Sequence, residues 1–253
     1  LMQNLFQNPM AGPYVLGINS GASLFISLLI LGAAPSFLNE FSYVSAAMTG
    51  AFLAASFMFV VSKRVQNIQS LLVIGLMFAS FTGAIESVLQ SFAAPEQVKQ
   101  LFIWNMGSLQ QMSAAQAPWL GAIIVFGIVA TLFLVKGLNA LVLGDAQAFQ
   151  LGVKVKQLKI VILFVTALLA GSITAYCGPI AFVGLAIPNL SRALLKTQDH
   201  FLLILFSVLA GSCFLVAIDV LILLLDPWLS IPVNVLTAVI GAPYVAYLML
   251  RQR

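Results

Sequence analysis

Charge is what this chain has least of. Only 7% of its 253 residues are Asp, Glu, Lys or Arg, against 62% hydrophobic residues. A soluble domain carries roughly 25% charged residues, so the sequence cannot clothe a water-facing surface of this size. Histidine occurs once, at His200, and cysteine twice, at Cys177 and Cys213. A zinc site needs three or four N, S or carboxylate ligands, and His-Glu-x-x-His is absent. Two cysteines in apolar segments make no disulfide framework and read as small core residues. A Ser-His-Asp set would have to use His200, and no glycine-lysine phosphate loop occurs. The sequence therefore argues against an enzyme: it offers no catalytic residues, no metal or cofactor site and no ATP site of its own. The net charge of +4 comes without a basic stripe interleaved with aromatics, which argues against nucleic acid as a partner. No signal-peptide pattern opens the chain.

What is abundant is apolar length. A membrane-spanning helix needs about 20 mostly apolar residues, and eight segments meet that description: 14–34, 45–62, 70–92, 118–135, 160–176, 179–195, 201–225 and 231–250. Lipid cannot satisfy open backbone groups, and no alternating strand pattern recurs. The expected fold is all-α, a polytopic transmembrane helical bundle in a lipid bilayer. With the N-terminus inside, the inner loops and helix ends hold Lys63, Arg64, Lys136, Lys154, Lys156, Lys159, Arg192, Lys196, Arg251 and Arg253, while the outer loops hold only Lys99. This asymmetry orients the bundle. An even number of spans returns the C-terminus to the same side. Outer acids are Glu40, Glu96 and Asp226.

Two connections stand out. In the outer one, 93–117, Pro95 ends a helix and 96–109 suits a short helix at the membrane surface, with Trp104 at the interface. The inner one, 144–159, is the longest polar stretch. Ala146, Phe149 and Leu151 form a small apolar face beside Asp145, Gln147 and Gln150, and Gly152 permits a reversal. Such a helix-turn-helix fits a groove on a soluble partner; a solvated loop with topology-setting lysines is the other reading. The run Tyr176-Cys177-Gly178-Pro179 reads as a tight outer hairpin.

Glu86 and Asp219 lie within spans, where carboxylates are costly. They bind a proton or cation, act as a catalytic pair, or are simply protonated or hydrogen-bonded to neighbouring helices. Asp199, just before His200, reads as a helix N-cap. Gly171, Gly178, Pro179, Pro188, Gly211, Pro232, Gly241 and Pro243 interrupt the apolar segments, for close packing or for helices bent around a pathway.

Four stretches carry a resemblance. The first runs from Asn8-Pro9 through Gly17 and Ser20 to Ala22, the second from Gly144 to Val153. The third is Gly178-Pro179-Ile180-Ala181-Phe182-Val183-Gly184-Leu185, running on to Pro188 and Arg192. The fourth is Pro232-Val233 followed by Thr237 to Pro243, with Gly241. In this order they resemble the permease family of type II ABC importers for iron-siderophore complexes, haem and cobalamin. The resemblance runs essentially end to end. It implies about ten helices per subunit in a homodimer or heterodimer of the prokaryotic inner membrane, with both termini of this chain cytoplasmic. It also implies two ATP-binding cassette subunits docked inside and an extracytoplasmic substrate-binding protein outside. The family's Gly-Glu-x-x-Ala-x-x-Leu-Gly loop contacts the ATPase; here it is Gly144, Asp145, Ala148, Leu151 and Gly152, with Asp145 in place of the glutamate. Against that family, residues 1–253 read as a single permease domain lacking the first helix and most of the second. Asn189 stands where the family often has His, and Leu223 where it often has an outward Arg four residues after Asp219. The competing expectation is an ion-coupled secondary transporter using Glu86 or Asp219; a more remote one is an intramembrane aspartyl protease.

Overall fold

A computed structural model of the chain describes residues 1–9, 11–12, 17–32, 40–65, 68–110, 112–226 and 231–251. The expected span ends at 14–16 and 33–34, Arg253, and the side chains of Glu40, Lys63 and Arg251 lie outside what is described. Among the described residues every regular element is a helix, as the apolar runs require. They are α1 (Met2–Leu5), α2 (Ile18–Gly32), α3 (Glu40–Arg64), α4 (Ile68–Phe92), α5 (Pro95–Asn105), α6 (Ala117–Phe133), α7 (Val135–Leu141), α8 (Asp145–Gln150), α9 (Val155–Cys177), α10 (Val183–Leu195), α11 (His200–Leu225) and α12 (Val233–Arg251).

Helix α9 is the axis. It packs against α2, α3 and α6, and α2 in turn packs on α3 and α4; α10 joins α11 and α12 beside this group. The apolar span of α9 is 56% buried, against 17% for α4 and 11% for α11. The outer helices therefore turn apolar faces such as Met77, Phe81, Leu209 and Val216 away from the protein. In lipid that surface carries no hydrophobic penalty, and helix association rests on close packing and hydrogen bonds instead.

The closest approach is between α2 and α3. A Cβ on Gly21 would run into the Gly50 carbonyl oxygen, and one on Gly50 into the Gly21 carbonyl oxygen. Backbones that touch directly leave no side chain able to give way. Gly50→Val is expected to lower the thermal unfolding temperature of the detergent-solubilised protein, at a cost of about 2–3 kcal/mol. An unchanged melting curve would show that α2 and α3 separate without loss.

Several expectations are corrected. The segment 118–135 is not one straight helix: it breaks at Leu134, and α7 continues at 55° to α6. The segment 179–195 is helical only from Val183, because Gly178 to Phe182 form a non-helical passage rather than a tight hairpin. Gly178 stops α9 at a positive φ of 72°, and Pro179 offers no N–H to continue it. The loop 144–159 ends early, since its last five residues already belong to α9. The short helix expected over 96–109 is present but spans Pro95–Asn105, and its Trp104 is buried in the protein.

Among the described residues, by length and apolarity four helices can cross a membrane, Ser42–Ser62, Ser70–Phe92, Val155–Cys177 and His200–Leu225, or five if α6 and α7 count as one bent span. That is fewer than the eight expected. The other three, Ile18–Gly32, Val183–Leu195 and Val233–Tyr247, are apolar but short; at 1.5 Å per residue a 15-residue helix is about 22 Å long.

Candidate functional site

The 144–152 loop is an ordered element. Gly144 has φ +98° and Gly152 φ +83°, and a Cβ at either would point into open space. Both glycines are there for backbone conformation, not for room. Helix α8 closes with a Schellman turn: Gly152 donates to the Phe149 carbonyl at 2.9 Å and Val153 to the Ala148 carbonyl at 3.0 Å, which satisfies carbonyls the helix end leaves free. Ala148 is fully buried and joins Leu138 and Leu141 in the core. Ala148 anchors the loop, and its neighbours face outward: Phe149 is 73% exposed and Leu151 64%. Asp145, in the first turn of α8, suits the helix dipole and pairs with Lys159 of α9. The pair is open to solvent, so it is worth little, under about 1 kcal/mol.

Helix α7 is held from three sides. Asn4 Nδ2 donates to the Leu138 carbonyl at 2.7 Å and Gln7 Nε2 to that of Leu141 at 3.4 Å, both in its last turn. Asn139 reaches α11. Its Nδ2 donates to Asp199 Oδ1 at 3.0 Å, and its Oδ1 accepts from the His200 backbone N–H at 2.9 Å. The His200 Nδ1 lies 2.7 Å from the same oxygen. Asp199 is the N-cap of α11, accepting from the Phe201 N–H at 3.2 Å, as its position predicts. The Asn139 amide first, then the Phe201 N–H, hold its carboxyl below the usual carboxylate range. This contribution is present above the ordinary aspartate value and is lost only as pH falls through the lowered one.

Some of the residues expected at a pathway gather into two clusters. On the side of α8, the Pro9 carbonyl accepts from Gln3 at 2.8 Å and from Asn189 at 3.1 Å, and Asn189 Oδ1 accepts from Arg192 at 3.2 Å. The first and third stretches therefore meet. Asn8, Pro9, Arg192, His200 and Val142 line one cavity of about 470 Å³ there.

At the other end, the third and fourth stretches meet through Asn234. Its Nδ2 donates to the carbonyls of Pro179 at 2.6 Å and Asn105 at 3.1 Å, and its Oδ1 accepts from the Ala181 N–H at 2.8 Å. Gly178 lies against the Trp104 carbonyl, and Gly241 leaves the space that Phe182 fills, with 2.7 Å between an added Cβ and Phe182 Cβ. Phe182 has φ +65°, unusual for a bulky residue. Asp219 shares a cavity of about 380 Å³ with Asp226, Ser108 and Pro232 and accepts from Gln110 at 3.4 Å.

Other residues stand apart from both clusters. Gly17 abuts Phe78. Ser20 is half-buried in the first turn of α2, and Gly184 is exposed at the start of α10. Pro188 lies within α10 and Pro243 within α12. Glu86 is half-buried in α4, near Ser23 of α2. Glu86 and Asp219 thus have different neighbours, and no ion pair to either occurs among the described residues. No group of three His, Cys, Asp or Glu suited to a metal occurs among them either.

Sequence reasoning missed Asn139 and Asn234. For Asn234 the signal was available: it is an amide inside the apolar segment 231–250, and the cost of polarity at membrane depth applies to amides as it does to the carboxylates; Asn139 lies beyond the segment 118–135 and carried no such signal.

Among the described residues the chain is a bundle of apolar helices, several long enough to cross a membrane, and it belongs to the FecCD transport family, which it matches over residues 1–251. It is 35% identical to the hemin transport system permease protein of Yersinia pestis over all of this chain and 76% of that protein. It is 34% identical to the vitamin B12 import system permease protein of Photorhabdus laumondii, over all of the chain and 75% of the relative. It is 30% identical to an Fe(3+) dicitrate transport system permease protein of Escherichia coli, over all of the chain and 78% of the relative. Among solved structures, a metal-chelate type ABC transporter in an inward-facing conformation superposes with a TM-score of 0.89 at 27% identity, covering 98% of this chain and 79% of that one.

Proposed function

We propose that this chain is the membrane permease subunit of an ATP-driven importer for a haem, iron-siderophore, ferric citrate or cobalamin-type chelate. The observation that carries the reading is the 144–152 loop. A buried Ala148 fixes it, two glycines shape it, and Phe149 and Leu151 stand exposed on it, as suits a small plug for a groove on a soluble ATPase. The lysine and arginine asymmetry supports placing this loop and both termini in the cytoplasm. On this reading all eight apolar segments cross the bilayer, and α10 does so together with the non-helical residues Gly178 to Phe182 that precede it. Broken backbone is tolerated at membrane depth where protein groups satisfy it, as Asn234 does for Pro179 and Ala181. Two permease copies would assemble with two ATP-binding cassette subunits and an extracytoplasmic binding protein. ATP chemistry belongs to the partner, and the permease supplies alternating access.

Co-purification of an ATPase subunit with the full-length permease, followed by ATP-dependent uptake of haemin, ferric citrate and cobalamin in proteoliposomes, tests this. Uptake of none of the three would remove those chelates as substrates, and uptake indifferent to ATP but abolished by Glu86→Gln or Asp219→Asn would replace this reading with ion-coupled transport.

A further inference from the structure

Helix α11 is the least enclosed of the long helices, with only 11% of its span buried, so dispersion contacts hold it weakly in place. Polar contacts stand out at three levels along it. At its start, Asp199 and His200 meet Asn139 of α7. In its first half, Ser207 Oγ lies 2.9 Å from Ser191 Oγ of α10. Near its far end, Asp219 accepts from Gln110. Apolar side chains slide past one another at little cost, whereas a hydrogen bond is lost once its partners move out of reach or alignment.

The Asn139 contact is the most constrained of the three. Its Oδ1 faces the His200 backbone N–H and Nδ1, and its Nδ2 faces a carboxylate. A flipped amide would set its NH2 against the backbone N–H and its oxygen against the carboxylate, so one orientation is allowed. The same oxygen requires the His200 ring to carry its proton on Nδ1. The contact joins residues 60 positions apart. It lies on α7, the short helix that packs directly on α8 and is bent away from the span before it. Helix α11 runs from there as one unbroken helix to Leu225.

We propose that Asn139 is the positioning residue through which displacement of the α7–α8 element is passed to α11, and so to the Asp219 end of the molecule. This rests on the reading of α8 as the ATPase-contacting element. Removing Asn139 leaves Phe149 and Leu151 untouched, so the ATPase still binds and hydrolyses ATP while α11 no longer follows. Reversing the pair, with Asn139→Asp and Asp199→Asn together, restores a donor opposite an acceptor and keeps an acceptor for His200.

The test uses the full-length permease with its ATPase in proteoliposomes, carrying Cys213→Ser and an environment-sensitive fluorophore on Leu224→Cys at the exposed far end of α11. The readout is the emission change on trapping with ATP and vanadate. Asn139→Ala is expected to reduce that change at least about fivefold, the lower end of typical coupling between sites. Asn139→Asp alone behaves likewise, and the reversed pair recovers the change. ATPase retention is expected in every variant. Should Asn139→Ala not fold, Asn139→Leu, which keeps the bulk of the side chain, removes both its donor and its acceptor and leaves the α11 cap at Asp199 intact, carries the same comparison. A full response in the folded variants, or no response in the reporter protein that keeps Asn139 and Asp199, overturns the proposal. Failure of the underlying reading looks different: no ATPase co-purifies at all.

Discussion

Asp145→Lys combined with Leu151→Asp is expected to abolish ATPase retention while leaving the permease folded. Both side chains are exposed, so neither change opens a cavity or orphans a buried group. The lost Asp145–Lys159 pair is solvated and contributes under about 1 kcal/mol. At an interface the same changes are severe. A central apolar anchor is worth about 2 kcal/mol or more, and a charge buried there without a partner adds a penalty of similar size. Together they amount to about 4 kcal/mol, roughly a thousandfold in Kd. Thermal unfolding reports the fold and co-purification reports the interface, so the two effects separate cleanly. A double variant that still holds its ATPase would show that the docking surface lies elsewhere on the permease. Substituting Gly152 by Ala probes the shape of the loop instead. It forces a left-handed backbone on a residue with a Cβ, costs about 1 kcal/mol, and is expected to weaken ATPase binding less than the double variant does.

Asn234→Leu is expected to be the most destabilising single substitution at the opposite end. It removes the acceptor for the Ala181 N–H and the donor to Pro179 and Asn105. These backbone groups lie where two helices have stopped, so no helix neighbour replaces the lost partner. Each orphaned group costs about 1–3 kcal/mol, so the loss should be at least about 3 kcal/mol. It is measured as a fall in unfolding temperature in detergent. Amide exchange at Ala181 should accelerate at the same time, because its N–H loses its acceptor. Asn234→Asp keeps the acceptor but sets a carboxylate against two carbonyl oxygens, and is expected to be nearly as damaging. If Asn234→Leu unfolds like the native protein, water has taken the place of the amide, and the junction of α5, α10 and α12 is wetter than its neighbours suggest.

The helices were legible because apolar runs in lipid have one way to satisfy their backbone. That the apolar runs are helical follows from that rule. It failed where a tertiary partner takes over from the helix. The residues from Pro179 to Phe182 read as the start of the next helix, yet they are non-helical: Gly178 and Pro179 end α9 locally, and Asn234, far away in sequence, bonds the Pro179 carbonyl and the Ala181 N–H. At the Leu134 bend nothing local breaks α6 from α7, and Asn4, Gln7 and Asn139 hold α7 in its own direction. Within the 144–152 loop the turn residues were readable from Gly144, Gly152 and the polar spacing, because a positive φ leaves a glycine behind. That Ala148 alone of its neighbours turns inward was not readable, since burial of a methyl group depends on what packs over it. Composition, apolar length and the placement of lysine and arginine thus determined by themselves that this is a helical membrane protein, and its motifs pointed to the permease family. Only the tertiary structure decided which amides join the segments, because a hydrogen bond between residues 55 to 180 positions apart leaves no periodicity in the chain.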